Sequence, residues 1–399
     1  MQVPERFSDL PEYAFPRLRA LLDPYPPGPA GANGAPVSMS IGEPKHPQPP
    51  FLAEALARHV HLYSKYPPNE GHPDLLEACA AWIGRRYGVR VEADAHVFPL
   101  NGTREGLFNA AVALSPERKN GARPAILLPN PFYQCYAAAA LAVGAEPIYV
   151  NAVAETGHLP DFAALDPALL DRVTVAYICS PANPQGAVAG PEYWARLLAL
   201  AERHDFRIFA DECYAEIYRD APPPGVLTTA KAVGADPERV LSFHSLSKRS
   251  NLPGLRSGFC VGGEATIAAL RRHRSYTGAP LPLPAQLAAA EVWRDEAHVT
   301  ENRALYAEKY ALAERILGFA PAAGFFLWVG VEDGEAATLR LWREHGVRVL
   351  PGSYLSRTAS PGCGVGDPGR GYIRVALVDE PAHVERGLTA IREVIGGRE

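Results

Sequence analysis

No stretch of the 399 residues is apolar for long enough to cross a bilayer, so the chain is expected to have no membrane partner. Nor is there a basic excess. With 39 Lys and Arg against 44 Asp and Glu, the net charge of −5 leaves no electrostatic footprint for nucleic acid. The six cysteines are widely scattered, with no C-x-x-C pair and no histidine at metal-ligand spacing. That pattern excludes a zinc or disulfide scaffold and reads as buried reduced thiols. The opening "MQVPERFSDLPEYAFPRLRALL" lacks a basic segment running into an apolar one, and the expected location is the cytoplasm. Internal repeats are absent too.

What the chain does have is a soluble, core-forming composition, 47% hydrophobic and 21% charged, at a length beyond one ordinary core. From about residue 95 to 265 it repeats a short apolar run, a turn and an Ala/Leu-rich helical segment. The runs are "HVFPL", "AILLP", "EPIYV", "VTVAYICS", "RIFAD", "VLSFHS" and "GFCVG". Near-continuous apolar strands between helices predict an α/β fold with a mostly parallel seven-stranded sheet covered on both faces. Further on come one long helical stretch from Leu287 to Leu317, the runs "GFFLWVGV", "VRVLPG" and "GYIRVALV", and helices between and after them, which predict a smaller α+β domain. The expected division is an N-terminal segment over 1–49, too rich in Pro and Gly to fold alone, a large domain over 50–290 and a small one over 291–399.

Parallel sheets bind ligands beyond the carboxyl ends of their strands, and the unusual residues of this chain fall there. "NGTREGLF" follows a strand and opens a helix, leaving the N–H groups of Gly102, Thr103 and Arg104 free for an anion. "RIFADECY" ends a buried strand on Asp211, a carboxylate that wants a cationic partner, with Tyr214 three residues on. Asn183 sits in "SPANPQG", and Tyr133 in "PNPFYQCY" is placed to lie on a flat ring. "SFHSLSKRSNLPGLRSGF" sets Ser245, Ser247 and Lys248 together with Arg256 downstream. Together these describe one ligand. Its anionic group meets a helix N-terminus, Ser245, Ser247 and Arg256; its ring stacks on Tyr133; its cationic ring nitrogen faces Asp211; its phenolic oxygen meets Asn183 and Tyr214. That ligand is pyridoxal 5'-phosphate, with Lys248 as the amine that bonds to its aldehyde.

The ordered motifs "IGEP", "KYPPNEGHPDL", "NGTREGL", "NPFYQCY", "SPANPQG", "ADECY", "SLSKRSNLPGLRSG" and "GYIRVAL" resemble those of fold-type I, class I and II aminotransferases over nearly the whole chain. The resemblance implies that Lys248 carries the cofactor, that Asp211 holds its ring nitrogen, and that Asn183 and Tyr214 meet its ring oxygen. It places Thr103, Arg104, Ser245 and Arg256 on the phosphate and Tyr133 on the ring. It makes Arg374 the arginine for the substrate α-carboxylate and Gly42 the glycine whose backbone closes over the substrate. Tyr66 matches a tyrosine that reaches the phosphate of the neighbouring subunit, which implies a homodimer with shared sites.

Within that family, "IGEPKHP", "SLSKRSNLPGLRSGF" and "VLPGSYLSR" are similar to proteobacterial succinyldiaminopimelate aminotransferases of lysine and diaminopimelate biosynthesis, with glutamate and 2-oxoglutarate as the second substrate pair. A distal substrate carboxylate then calls for another cation, and Lys45, Arg249 and Arg357 are the candidates. The alternatives are a broad-range aspartate, alanine or aromatic aminotransferase and a C–S β-lyase. An effector-sensing transcription factor of the same fold would need a basic helix-turn-helix that the sequence lacks.

Overall fold

The computed structural model describes residues 5–8, 10, 12–29 and 35–396. Of the expected N-terminal segment, residues 1–4, 9, 11 and 30–34 lie outside the described residues. Among the described residues there are twelve strands: β1 (Val37–Ser38), β2 (Val97–Leu100), β3 (Ala125–Asn130), β4 (Glu146–Asn151), β5 (Val173–Cys179), β6 (Arg207–Asp211), β7 (Val240–Ser245), β8 (Gly258–Gly262), β9 (Phe326–Gly330), β10 (Val347–Arg348), β11 (Leu350–Pro351) and β12 (Tyr372–Ala376). The seven apolar runs form one sheet in the order β2-β8-β7-β6-β5-β3-β4. Only β8 runs against its neighbours, β2 and β7; the remaining pairs are parallel.

Because side chains alternate across a strand, each strand feeds two cores. Ile126 and Leu128 enter one, with Tyr136, Tyr177 and Leu107, and Leu127 enters the other, with Ile178, Trp194 and Leu197. Each such side chain removed from water contributes about 1.5–3 kcal/mol, and with both faces covered no polar alternation survives in the strands. The consequence for the site is geometric: β2, β3, β5, β6 and β7 all end at the same edge.

A second sheet, β11-β12-β9, is antiparallel. The helices Ala297–Leu317 and Pro381–Gly396 pack on it through Tyr310, Ala313, Leu388 and Ile391. The N-terminal segment joins this part through the parallel β1–β10 pair. The run "VRVLPG", expected as one strand, is divided between that pair and β11.

The helical stretch expected from Leu287 to Leu317 is two helices, Leu283–Arg294 and Ala297–Leu317. Asp295 breaks it with an extended backbone, its carboxylate accepting from the His298 N–H at 3.1 Å. The first helix spans position 290 and buries Val292 and Trp293 with Trp82 and Ile83.

Candidate active site

The strand ends enclose a cavity of about 460 Å³. Of the residues expected from sequence, Gly42, Thr103, Arg104, Tyr133, Asn183, Asp211, Tyr214, Ser245, Ser247, Lys248, Arg256 and Arg374 all line it. Gly102 lies directly behind this wall, while Tyr66 does not reach the cavity.

At the floor, Asp211 ends β6 as a buried carboxylate. Its Oδ2 accepts a hydrogen bond from Tyr136 Oη at 2.7 Å and its Oδ1 accepts from the Cys213 N–H at 3.3 Å. Burial pushes its pKa up, opposed by the groups that donate to it and by the Lys248 charge. A buried carboxylate in that state gains most from a cationic partner. Tyr136, stacked on Tyr177 at 4.5 Å, was not expected from sequence, because in "QCYAAAA" it reads as one more core residue of an alanine-rich helix.

The anion cradle is built by β2 and the helix Thr103–Leu114. Gly102, at φ 80°, precedes the helix in a conformation that side chains rarely adopt, and a Cβ there would come 2.1 Å from Arg256 Nη2. The bare glycine lets the guanidinium lie across the helix N-terminus, where Arg256 donates to the carbonyls of Pro253 and Asn101 at 2.8 and 3.3 Å. Thr103 Oγ1 is 3.1 Å from Cys213 Sγ, and Ser245 Oγ accepts from the Ser247 N–H at 3.1 Å. The Arg104 side chain donates from Nε to Tyr133 Oη, and its main-chain N–H lies in the first turn of the helix.

Gly102→Ala is expected to raise the dissociation constant for pyridoxal 5'-phosphate by about 10- to 150-fold, the worth of a hydrogen bond to a charged group. Fluorescence titration of the cofactor-free protein measures it; an unchanged constant would remove Arg256 from the cradle.

Lys248 sits in the short helix Leu246–Arg249 directly after β7. Its Nζ donates to the Gly42 carbonyl at 2.5 Å and lies 5.3 Å from the centre of the Phe325 ring. Burial, with the like charge of Arg374 adding to it, pulls its pKa down to about 8. Gly42 is pressed so closely on Phe326 that a Cβ would come 2.3 Å from its Cζ.

Arg374, on β12, donates to Asn183 Oδ1 at 3.0 Å and to the Ser40 carbonyl at 2.7 Å, with its guanidinium 4.2 Å from the Phe326 ring centre. Both acceptors are neutral, and its Nε is buried without a partner. Burial pulls the guanidinium to about 10, which leaves it charged at neutral pH. Such a cation is a ready site for a carboxylate. Phe326 was missed because "GFFLWVGV" reads as a uniformly buried strand.

The three candidate distal cations, Lys45, Arg249 and Arg357, are not among the residues that line the cavity. Lys45 pairs with Asp379 at 2.5 Å. Arg249 is buried against the carbonyls of Val292 and Asp295 and the Glu296 carboxylate. Arg357 lies over the Tyr149 ring at 5.9 Å. The loop that carries Arg357 is fastened to the sheet: Asn130 Nδ2 donates to the Arg357 carbonyl at 2.6 Å, and the Phe132 N–H donates to the Leu355 carbonyl at 2.9 Å. Leu355 is the residue this loop presents to the cavity.

A helix N-terminus with an arginine across it, a tyrosine in the cavity wall, a buried carboxylate and a lysine of lowered pKa fit the phosphate, ring, ring nitrogen and aldehyde of pyridoxal 5'-phosphate. Fold and cavity together define a transferase of the type that uses this cofactor.

Residues 35–391 match aminotransferase class I and II. The chain is 32% identical to an LL-diaminopimelate aminotransferase of Dehalococcoides mccartyi over 98% of both chains. It is 33% identical to a 4-dedimethylamino-4-oxo-anhydrotetracycline transaminase of Streptomyces rimosus, over 92% of this chain and 95% of the other. Among solved structures, an aminotransferase from Neisseria meningitidis superposes with a TM-score of 0.92 at 36% identity, over 98% of this chain and 100% of that one. The chain belongs to the class I and II aminotransferases, pyridoxal-phosphate-dependent enzymes that act on amino acids and 2-oxo acids.

Proposed function

We propose that the protein transfers an amino group between N-succinyl-L,L-diaminopimelate and 2-oxoglutarate in diaminopimelate and lysine biosynthesis, as a cytoplasmic enzyme. The observation that carries this reading is the cavity wall beyond Arg374. Besides Lys248, Arg256 and Arg374, the cavity lining carries Phe15, Ile41, Leu355 and one further cation, Arg104. Its carboxylates, Asp211 and Glu43, both act on the Lys248 charge. An apolar wall with a cation suits an acylated amine ending in a carboxylate; a free distal ammonium, as in L,L-diaminopimelate itself, would want a carboxylate there. Arg104 therefore takes the distal anion in this reading.

Pyridoxal 5'-phosphate, when bound, supplies an aldehyde for the substrate amine and an electron-withdrawing ring next to Cα. The chain does the rest. Thr103, Ser245, Ser247 and Arg256 would hold the phosphate, and Tyr133 would cover the ring. Asp211, its carboxylate fixed by Tyr136, would hold a proton on the ring nitrogen. Asn183 and Tyr214 would meet the ring oxygen. Arg374 takes the α-carboxylate in its fork and so sets which Cα bond faces Lys248. Lys248 Nζ, with its pKa near 8, takes the proton from Cα as general base.

The enzyme is a homodimer in this reading. Tyr66 is 100% exposed, with Tyr63 and Tyr276 beside it on a separate groove of about 710 Å³. In this reading Tyr66 of one copy serves the phosphate site of the other. Sedimentation at the mass of a single chain would exclude this.

To test the substrate, the cofactor-loaded protein is mixed separately with N-succinyl-L,L-diaminopimelate, L,L-diaminopimelate, glutamate and aspartate, and the loss of visible absorbance is timed. The succinylated compound and glutamate are expected to react at least about tenfold faster than the other two, one decade of discrimination per 1.4 kcal/mol. Preference for L,L-diaminopimelate or aspartate would overturn the assignment.

A further inference from the structure

One buried cation has no part in the chemistry above. Lys309, on the helix Ala297–Leu317, is 1% exposed. Its Nζ lies 2.5 Å from His46 Nε2, and His46 Nδ1 lies 2.6 Å from Asn302 Oδ1. Asn302 Oδ1 also accepts from Asn251 Nδ2 at 3.2 Å, while Asn302 Nδ2 donates to the Arg249 carbonyl at 3.5 Å. Asn251 Nδ2 reaches back to the Pro47 carbonyl at 3.1 Å.

These partners decide the state of the imidazole. An ammonium only donates, so Nε2 must accept; Asn302 Oδ1 accepts, so Nδ1 must carry the proton. His46 is therefore neutral, and a second proton would set two cations against each other. Burial, with Lys309 assisting, pulls its pKa to about 4 in spite of the Asn302 bond. The charged surroundings are Lys45 paired with Asp379, which also meets His383 at 3.2 Å, and the carboxylates of Glu308 and Glu380 that act on Lys309. The Tyr306 ring lies 4.4 Å from the imidazole, centre to centre.

The network joins two chain segments that touch Lys248. One is the strap from Gly42 to Pro47, whose first carbonyl accepts from Lys248 Nζ. The other is the turn Arg249–Asn251, which directly follows Lys248. We propose that His46 is a positioning residue for Lys248: through the strap it holds the Gly42 carbonyl on the lysine amine, and through Asn302 and Asn251 it fixes the turn that carries the lysine. Lys309 is buried because it locks the imidazole in the tautomer this requires. The neutral amine can donate to the Gly42 carbonyl as well, but the ammonium donates more strongly, so this acceptor favours the charged form. Once Lys248 has taken the Cα proton, the strap holds it in place for return.

The inference rests on Lys248 being the base and not on which amino acid is used. Three variants separate its parts. By length, His46→Gln sets an amide oxygen near the Nε2 position to accept from Lys309 and leaves the Nδ1 position empty; His46→Asn sets an amide N–H near the Nδ1 position to donate to Asn302 and leaves the Nε2 position empty; His46→Ala removes both. In cofactor-free protein, competitive acylation read by mass spectrometry gives the pH at which the Lys248 amine is half protonated. His46→Ala is expected to shift that midpoint down from about 8 by roughly one unit, the effect of losing an acceptor for the charged form. With glutamate and the loaded enzyme, kcat is expected to fall about tenfold while KM stays within about twofold, since only the proton-carrying state is weakened. His46→Gln and His46→Asn each give a smaller shift in the same direction. If His46→Ala does not fold, those two variants carry the test. A wild-type midpoint and kcat in the folded variants would overturn the inference, as would a rise in KM with kcat unchanged. Failure of Lys248 to bond the cofactor in the wild type is a different outcome: it would remove the lysine's role and leave the midpoint shift readable.

Discussion

Lys248→Ala is expected to keep pyridoxal 5'-phosphate in its cavity and to lose amino-group transfer by at least ~10²–10⁴-fold, the usual worth of a positioned base. Retention follows from the cradle, because Arg256, the start of the helix Thr103–Leu114 and Tyr133 do not depend on the lysine. The loss follows from the surroundings of Nζ. Burial is the main reason the amine titrates near 8, and that places it where it can both accept and return a proton near neutral pH. Cofactor titration and kcat on the same preparation separate the two effects. A variant that neither binds the cofactor nor folds differently from wild type would mean that the lysine anchors the cofactor rather than moving the proton. Turnover near the wild-type rate would remove Lys248 from the reaction.

Arg374→Ala should lower kcat/KM for every amino acid together, because the α-carboxylate is common to all of them. Truncating one side of a buried charged pair costs about 2–5 kcal/mol, or roughly 30- to 5,000-fold. Arg374→Lys recovers only part of that, since a point charge cannot keep Asn183, the Ser40 carbonyl and a carboxylate at once in the geometry of a planar fork. A loss confined to substrates with a second carboxylate would instead put Arg374 on the distal group.

The sheet was legible because its strands are buried on both faces and stand out as apolar runs, each bounded by a turn. The break at Asp295 was not, because nothing in "WRDEAHV" interrupts a helical pattern; it takes the His298 N–H donating to the Asp295 carboxylate to mark it. At the site, residues out of place for a strand end, such as Asp211 and Lys248, were readable. Tyr136 and Phe326 were hidden, since an aromatic in an apolar segment looks the same whether it faces the core or the cavity. Which cation would meet a distal carboxylate was not legible for a third reason. Lys45, Arg249 and Arg357 sit near the motifs in sequence, but each is taken up by local partners, and sequence does not say which way a long side chain turns. For the same reason Arg104, expected on the phosphate, directs its guanidinium to Tyr133.

The most direct test of the whole account is to reduce the cofactor-loaded protein with borohydride, digest it, and locate by mass spectrometry the lysine that carries the reduced cofactor. The account predicts the label on the peptide containing Lys248 and on no other lysine. Label on a different lysine, or none at all in protein that holds the cofactor, would contradict it.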